Sequence, residues 1–171
     1  KLRRGPGDDD VRLLVLERLD HTRLAVVANY SCHNSAGLHA EEIQDDFFGV
    51  AMEIVEFAES DGCVTLITPG TQGDQDPTGM IELGGIRDMP YALRLGKRLA
   101  GHILNGTADV PVRDMFDVAT ASETSQIHVR DDWRKYGRAL ENREFQKYAE
   151  DGMAPAEVCS LAIGEYAMVG I

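Results

Sequence analysis

Residues 23–68 read RLAVVANYSCHNSAGLHAEEIQDDFFGVAMEIVEFAESDGCVTLIT, and three kinds of segment follow one another within them. Arg23 to Ser31 is a short, nearly continuous apolar run through Leu24, Ala25, Val26 and Val27. Its length suits a strand, and its lack of alternation predicts a strand covered on both faces. Residues 32–45 are polar and irregular. Phe47, Val50, Ala51, Ile54, Val55 and Ala58 then recur at helical spacing, with Glu53, Glu56 and Glu59 pointing away. Asp45 or Asp46 stands where it can cap the first turn, and Asp61-Gly62 ends the helix. Cys63 to Thr68 is a second short buried-strand candidate. Strand, loop, helix, strand is the order of an α/β unit, and it predicts a mixed β-sheet with helices packed against it.

The flanks extend that unit. Val11 to Leu19 is another apolar run, separated from Arg23 by Asp20-His21-Thr22, short enough for a hairpin. Residues 1–10 are polar and read as a loop. Residues 69–79, PGTQGDQDPTG, are too rich in Gly and Pro for regular structure, and loops at the carboxyl ends of strands are where α/β folds hold ligands. Residues 90–105 predict a helix with Ala92, Leu95, Leu99 and Ile103 on one face and a stop at Asn105-Gly106. Residues 107–124 show no readable period, and Ser125 to Arg130 suggests a strand. Trp133 to Glu150 has high helical propensity and many charges, so a surface helix is expected there. Glu157 to Val169 reads as a strand pair turned at Gly164-Glu165.

Composition removes several function classes. The chain has 171 residues, 43% hydrophobic and 27% charged, enough for one globular domain with a real core. With 29 acidic and 17 basic residues its net charge is -12, which repels phosphate backbones, so nucleic acid is not an expected partner. No apolar run approaches the ~18 residues of a membrane-spanning helix, and the basic start has no apolar stretch behind it. A soluble protein is expected, secreted or cytoplasmic. Cys32, Cys63 and Cys159 lack CxxC spacing and read as buried free thiols. There is no Gly-x-Ser-x-Gly elbow, GxGxxG fingerprint or P-loop, so serine-hydrolase, dinucleotide and nucleoside-triphosphate chemistry lack support.

Three places can carry chemistry. His33 follows a strand end, where a rigid element can fix an imidazole as a metal ligand; the plainer alternative is a structural histidine. In Gly73-Asp74-Gln75-Asp76-Pro77, two carboxylates at i and i+2 can hold a hard cation through oxygen, and the glycine-rich backbone can offer N–H groups to an oxyanion; the alternative is a solvated acidic turn. Asp46 can orient a metal-bound histidine from behind, or cap its helix.

Taken in order, four stretches resemble the neutral/alkaline non-lysosomal ceramidase family and its bacterial relatives. They are Arg3-Arg4-Gly5-Pro6-Gly7-Asp8 with the strand Val11–Leu16, LAVVANYSCH at 24–33, IQDDFFG at 43–49, and LITPGTQGDQDP at 66–77. The resemblance is closest over residues 1 to about 80, and residues 157–171 resemble the strand before the family's P-G-E motif. It implies that 1–171 form a single domain, a fragment from the middle of a larger ceramidase-like catalytic domain. It also implies hydrolysis of an amide in a small-molecule or lipid-like substrate, with zinc held by two histidines, a glutamate and a tyrosine. His33 matches the second of those histidines, and Arg3 or Arg4 falls near the active-site arginine. Such a zinc activates water and polarises a carbonyl. Arg3, Arg4, Asp74 and Asp76 are thereby candidate catalytic residues, with Asp46 and Gly73 supporting the site.

The departures are equally specific. The other three zinc ligands would fall before Lys1 or after Ile171, so the metal would be completed by residues outside 1–171. Asp76 stands where the family has a serine, Thr78 follows the proline, and Asn34 replaces the proline after the zinc histidine. The competing expectation is a non-catalytic ceramidase-like binding or assembly module with a degenerate site.

Overall fold

The computed structural model describes residues 7–37, 43–59, 62–73, 75–77, 88–111, 113–114, 117–129 and 143–170. The chain divides into two compact units, Lys1–Val112 and Arg113–Ile171.

The first unit is built on β1 (Val11–Glu17), β2 (Arg23–Tyr30) and β3 (Val64–Pro69), in the order β1-β2-β3. β1 and β2 form the expected antiparallel hairpin, in a register that sets Leu13 against Ala28 and Val15 against Val26. Its turn is held by Arg18 N–H to Thr22 O at 2.9 Å and by the Asp20 carboxylate accepting from Thr22 N–H at 3.0 Å. β2 runs parallel to β3, and the connection passes through α1 (Asp46–Ala58). This is the α/β crossover that residues 23–68 predict, and the architecture is α/β with a mixed sheet. A longer helix, α2 (Met89–Asp109), follows.

One side of the sheet is covered by these helices. Val26, Ala28, Thr65 and Ile67 are buried there beside Phe47, Phe48, Ala51 and Val55 of α1 and Leu99, Ala100 and Ile103 of α2. The two helices approach closely at Gly96, where a Cβ would meet Val50 at 2.5 Å and the Phe47 carbonyl at 2.9 Å. A side chain there would force overpacking. β3 corrects the expectation of strands covered on both sides. Val64 and Leu66, which alternate with Thr65 and Ile67, are 60% and 52% exposed. An unbroken apolar run fixes a strand but not which of its faces is covered.

Two helix boundaries also differ from expectation. α2 does not stop at Asn105-Gly106 but continues to Asp109. Glycine costs about 1 kcal/mol in a helix interior. Here it lies against β1, where a Cβ would meet Leu13 Cδ1 at 2.5 Å, so packing overrides propensity. At the start of α1 neither Asp45 nor Asp46 takes the ordinary capping role. Asp45 makes no side-chain cap bond. Phe48 N–H instead donates to Asn34 Oδ1 at 3.1 Å, and Asn34 Nδ2 donates to Asp45 O at 2.9 Å.

The second unit is an antiparallel sheet of β4 (Val118–His128), β5 (Met153–Ile163) and β6 (Tyr166–Gly170), with α3 (Arg143–Asp151) before β5. The Gly164-Glu165 turn lies where the sequence places it. β4 begins well before the expected Ser125. It is exposed along its length, so it carries no burial pattern to read. No helix among the described residues is long and apolar enough to cross a membrane.

Candidate functional site

The parallel pair β2 and β3 delivers both of their following loops to one end of the first unit. Gly70 N–H donates to Tyr30 O at 3.1 Å, and a Cβ on Gly70 would collide with the Ser31 hydroxyl, so the chain can leave β3 this close to β2 only without a side chain. His33 N–H then donates to Gln75 O at 2.8 Å, which joins the histidine loop to the Gly73–Pro77 loop. Ser35 Oγ lies 3.5 Å from Asp76 Oδ1. His33, Gly73 and Asp76 therefore belong to one loop cluster, as their strand-end positions suggest. Arg3, Arg4 and Asp74 lie outside the described residues.

Asp46 supports this cluster from beneath. It is buried, has φ 55°, and its carboxylate accepts from Ala36 N–H at 3.0 Å, Gly37 N–H at 2.7 Å and Phe47 N–H at 2.7 Å. Asn34 pins the same loop to α1. The support reaches the backbone after His33 rather than the imidazole, which makes no hydrogen bond among the described residues. Asn34 is the residue that sequence reading missed. It registers there only as the absence of a proline, and its partner Phe48 is 14 residues away. Asp8 closes the other side, accepting from Ser31 Oγ at 3.1 Å and from Arg12 at 2.8 and 3.2 Å. The Arg12 guanidinium holds the Asp8 carboxyl below its ordinary value, against a smaller opposing effect of burial.

Cys32 precedes His33, and burial, reinforced by Asp76 and Asp46, pushes its thiol up from 9.0 to about 12. Only a thiolate is a good nucleophile or metal ligand, so this position is chemically quiet. Cys63 is buried as expected and shifted in the same direction, whereas Cys159 is exposed, against expectation. Thiol alkylation near neutral pH is therefore expected to label Cys159 and spare Cys32; equal rates would refute the assignment. The shift also has a sign in stability. The folded thiol holds its proton more tightly than the unfolded one, so this contribution is intact below pH 9.0 and is lost as pH rises toward about 12.

Beside the loop cluster lies a cavity of about 490 Å³, walled by the end of β2, residues 9–11, residues 75–77 and one face of α2. Asp76 lines it. His33 does not.

The described residues alone do not make a zinc site, since no group of three His, Cys, Asp or Glu among them can hold a metal ion. Among the described residues the His33 imidazole has no hydrogen-bond partner, and one such ligand needs partners from outside this set.

No family model matches the chain, and no curated protein matches it by sequence. Solved structures do. Neutral ceramidase from Pseudomonas aeruginosa superposes with a TM-score of 0.65 at 12% identity, over 92% of this chain and 33% of that one. A ceramidase complexed with C2 gives the same TM-score and identity, over 92% of this chain and 35% of that one. The chain thus spans about a third of the length of these structures, and what it shares with them is a ceramidase-like α/β fold.

Proposed function

We propose that this chain forms part of the catalytic domain of a zinc-dependent hydrolase, cleaving an amide or ester in a small-molecule or lipid-like substrate. The observation that carries this reading is the coincidence of the ceramidase-like fold with the place of His33. That histidine leaves the end of β2 in a loop tied to the Gly73–Pro77 segment on one side and to α1 on the other. In this reading His33 is one zinc ligand, and Asp46 and Gly73 shape the loops around it. Asp76, with Asp74 and either Arg3 or Arg4, is a candidate catalytic residue. The remaining ligands come from residues outside 1–171.

The test is bound zinc per molecule of the full-length protein that contains residues 1–171, after extensive dialysis and with zinc supplied during preparation. A near-stoichiometric content that His33→Ala abolishes is the expected result. Zinc absent from both proteins, or retained unchanged by His33→Ala, would remove the metal role from His33.

A second reading, a binding module that keeps the fold without the reaction, is favoured by Asp76 at the position where the family motif has serine. Metal-loaded protein that fails to hydrolyse acyl amides and esters would favour it.

A further inference from the structure

The cavity beside the loop cluster is lined by charges of both signs. On α2, Arg98 and His102 stand one helical turn apart and both line it. Asp9, from the segment leading into β1, and Asp76, from the loop after β3, line it as well. Among the described residues Arg98 forms no ion pair. Phe47 and Leu99, both buried, and the half-buried Leu95 also line it. The volume of about 490 Å³ lies in the range of small-molecule sites.

We propose that this cavity binds a small zwitterion of the α-amino-acid class, with its carboxylate on Arg98, its ammonium on the Asp9 side, and an apolar side chain against Leu95, Leu99 and Phe47.

The sign pattern selects this class. A purely anionic ligand meets the carboxylates of Asp9, Asp10 and Asp76, and a purely cationic one meets Arg98. A zwitterion complements both, and a guanidinium can grip a carboxylate through two parallel hydrogen bonds. Tyr30 reports the same field. Its half-buried phenol is pushed up chiefly by burial, but Asp9 raises it further while Arg98 lowers it, so both charges act on one wall of the cavity. The inference does not depend on zinc or on hydrolysis.

The test is titration of the full chain with leucine, leucinamide and 4-methylpentanoate, followed calorimetrically. Leucine is expected to bind. The other two lack the carboxylate or the ammonium and are expected to bind at least roughly tenfold more weakly, the cost of one charged hydrogen bond. Arg98→Gln, on an exposed helix position, should weaken leucine by a similar factor and leave leucinamide unchanged. Asp9→Asn should weaken leucine and leave 4-methylpentanoate unchanged. Circular dichroism on both variants checks that the fold is kept. No leucine binding at millimolar concentration would overturn the proposal, as would leucinamide or 4-methylpentanoate binding as tightly as leucine.

Discussion

Asp46→Ala is expected to lower the unfolding free energy by about 4 kcal/mol. The carboxylate is 6% exposed and accepts from three backbone N–H groups, those of Ala36, Gly37 and Phe47. Ala36 is fully buried and Gly37 is buried too, so removing the acceptor leaves two donors of the His33 loop without water or partner. Each such loss costs about 1–3 kcal/mol. Alanine also fits poorly at φ 55°, a left-handed conformation that Asp and Asn tolerate better. Relief of burying a carboxylate offsets part of the total. Asp46→Asn keeps the shape and the backbone tolerance but has one accepting oxygen instead of two, so it should fall between wild type and Asp46→Ala. Urea unfolding followed by far-UV circular dichroism measures the series. Equal stability of Asp46→Ala and wild type would show that the three hydrogen bonds do not hold the loop. If His33 is a zinc ligand, Asp46→Ala should also lose zinc under conditions where it remains folded.

Arg23→Met should cost about 3 kcal/mol at the opposite end of the same sheet, because it breaks a largely buried charge network. Arg23 begins β2, bonds Glu17 at the end of β1, lies 3.6 Å from Glu59 just past α1, and donates to Thr107 O near the end of α2 at 2.9 Å. One guanidinium thus ties together four elements of the first unit. The side chains of Arg23, Glu17 and Glu59 are 19%, 15% and 15% exposed. Removing the cation leaves the Glu17 and Glu59 carboxylates without it and with little solvent, which is the costly way to break a buried pair. Glu17→Gln added to Arg23→Met should recover part of the loss, since one uncompensated charge disappears. Arg113–Glu165 supplies the contrast. Its side chains are 61% and 81% exposed, and Arg113→Ala should change stability by less than about 0.5 kcal/mol. Amide hydrogen exchange in β2 and in β5 reads the two sites separately. If Arg23→Met leaves β2 protection unchanged, the network is not a structural tie.

Local pattern carried much of the fold. The apolar runs at 11–19 and 24–27 and the helical spacing from Phe47 to Val55 state which elements form. The short Asp20–Thr22 link states that the first two strands pair antiparallel. Together with the strand at 63–68 they make the α/β unit, because each signal is a period or a turn that neighbouring residues share. His33 was legible as a strand-end histidine for the same reason. Where packing between distant segments decided, sequence reading failed. Gly106 sits inside α2 because Leu13 lies against it. Val64 and Leu66 face outward because the helices cover only the other side of β3. β4 was unreadable because an exposed strand has no buried face to imprint a pattern. Above all, the support of the His33 loop by Asn34 and Asp46 is made by contacts across sequence gaps, and Asp9 and Arg98 line one cavity from distant parts of the chain. No local spacing encodes them, since they exist only once the sheet and its two helices have closed around a common core.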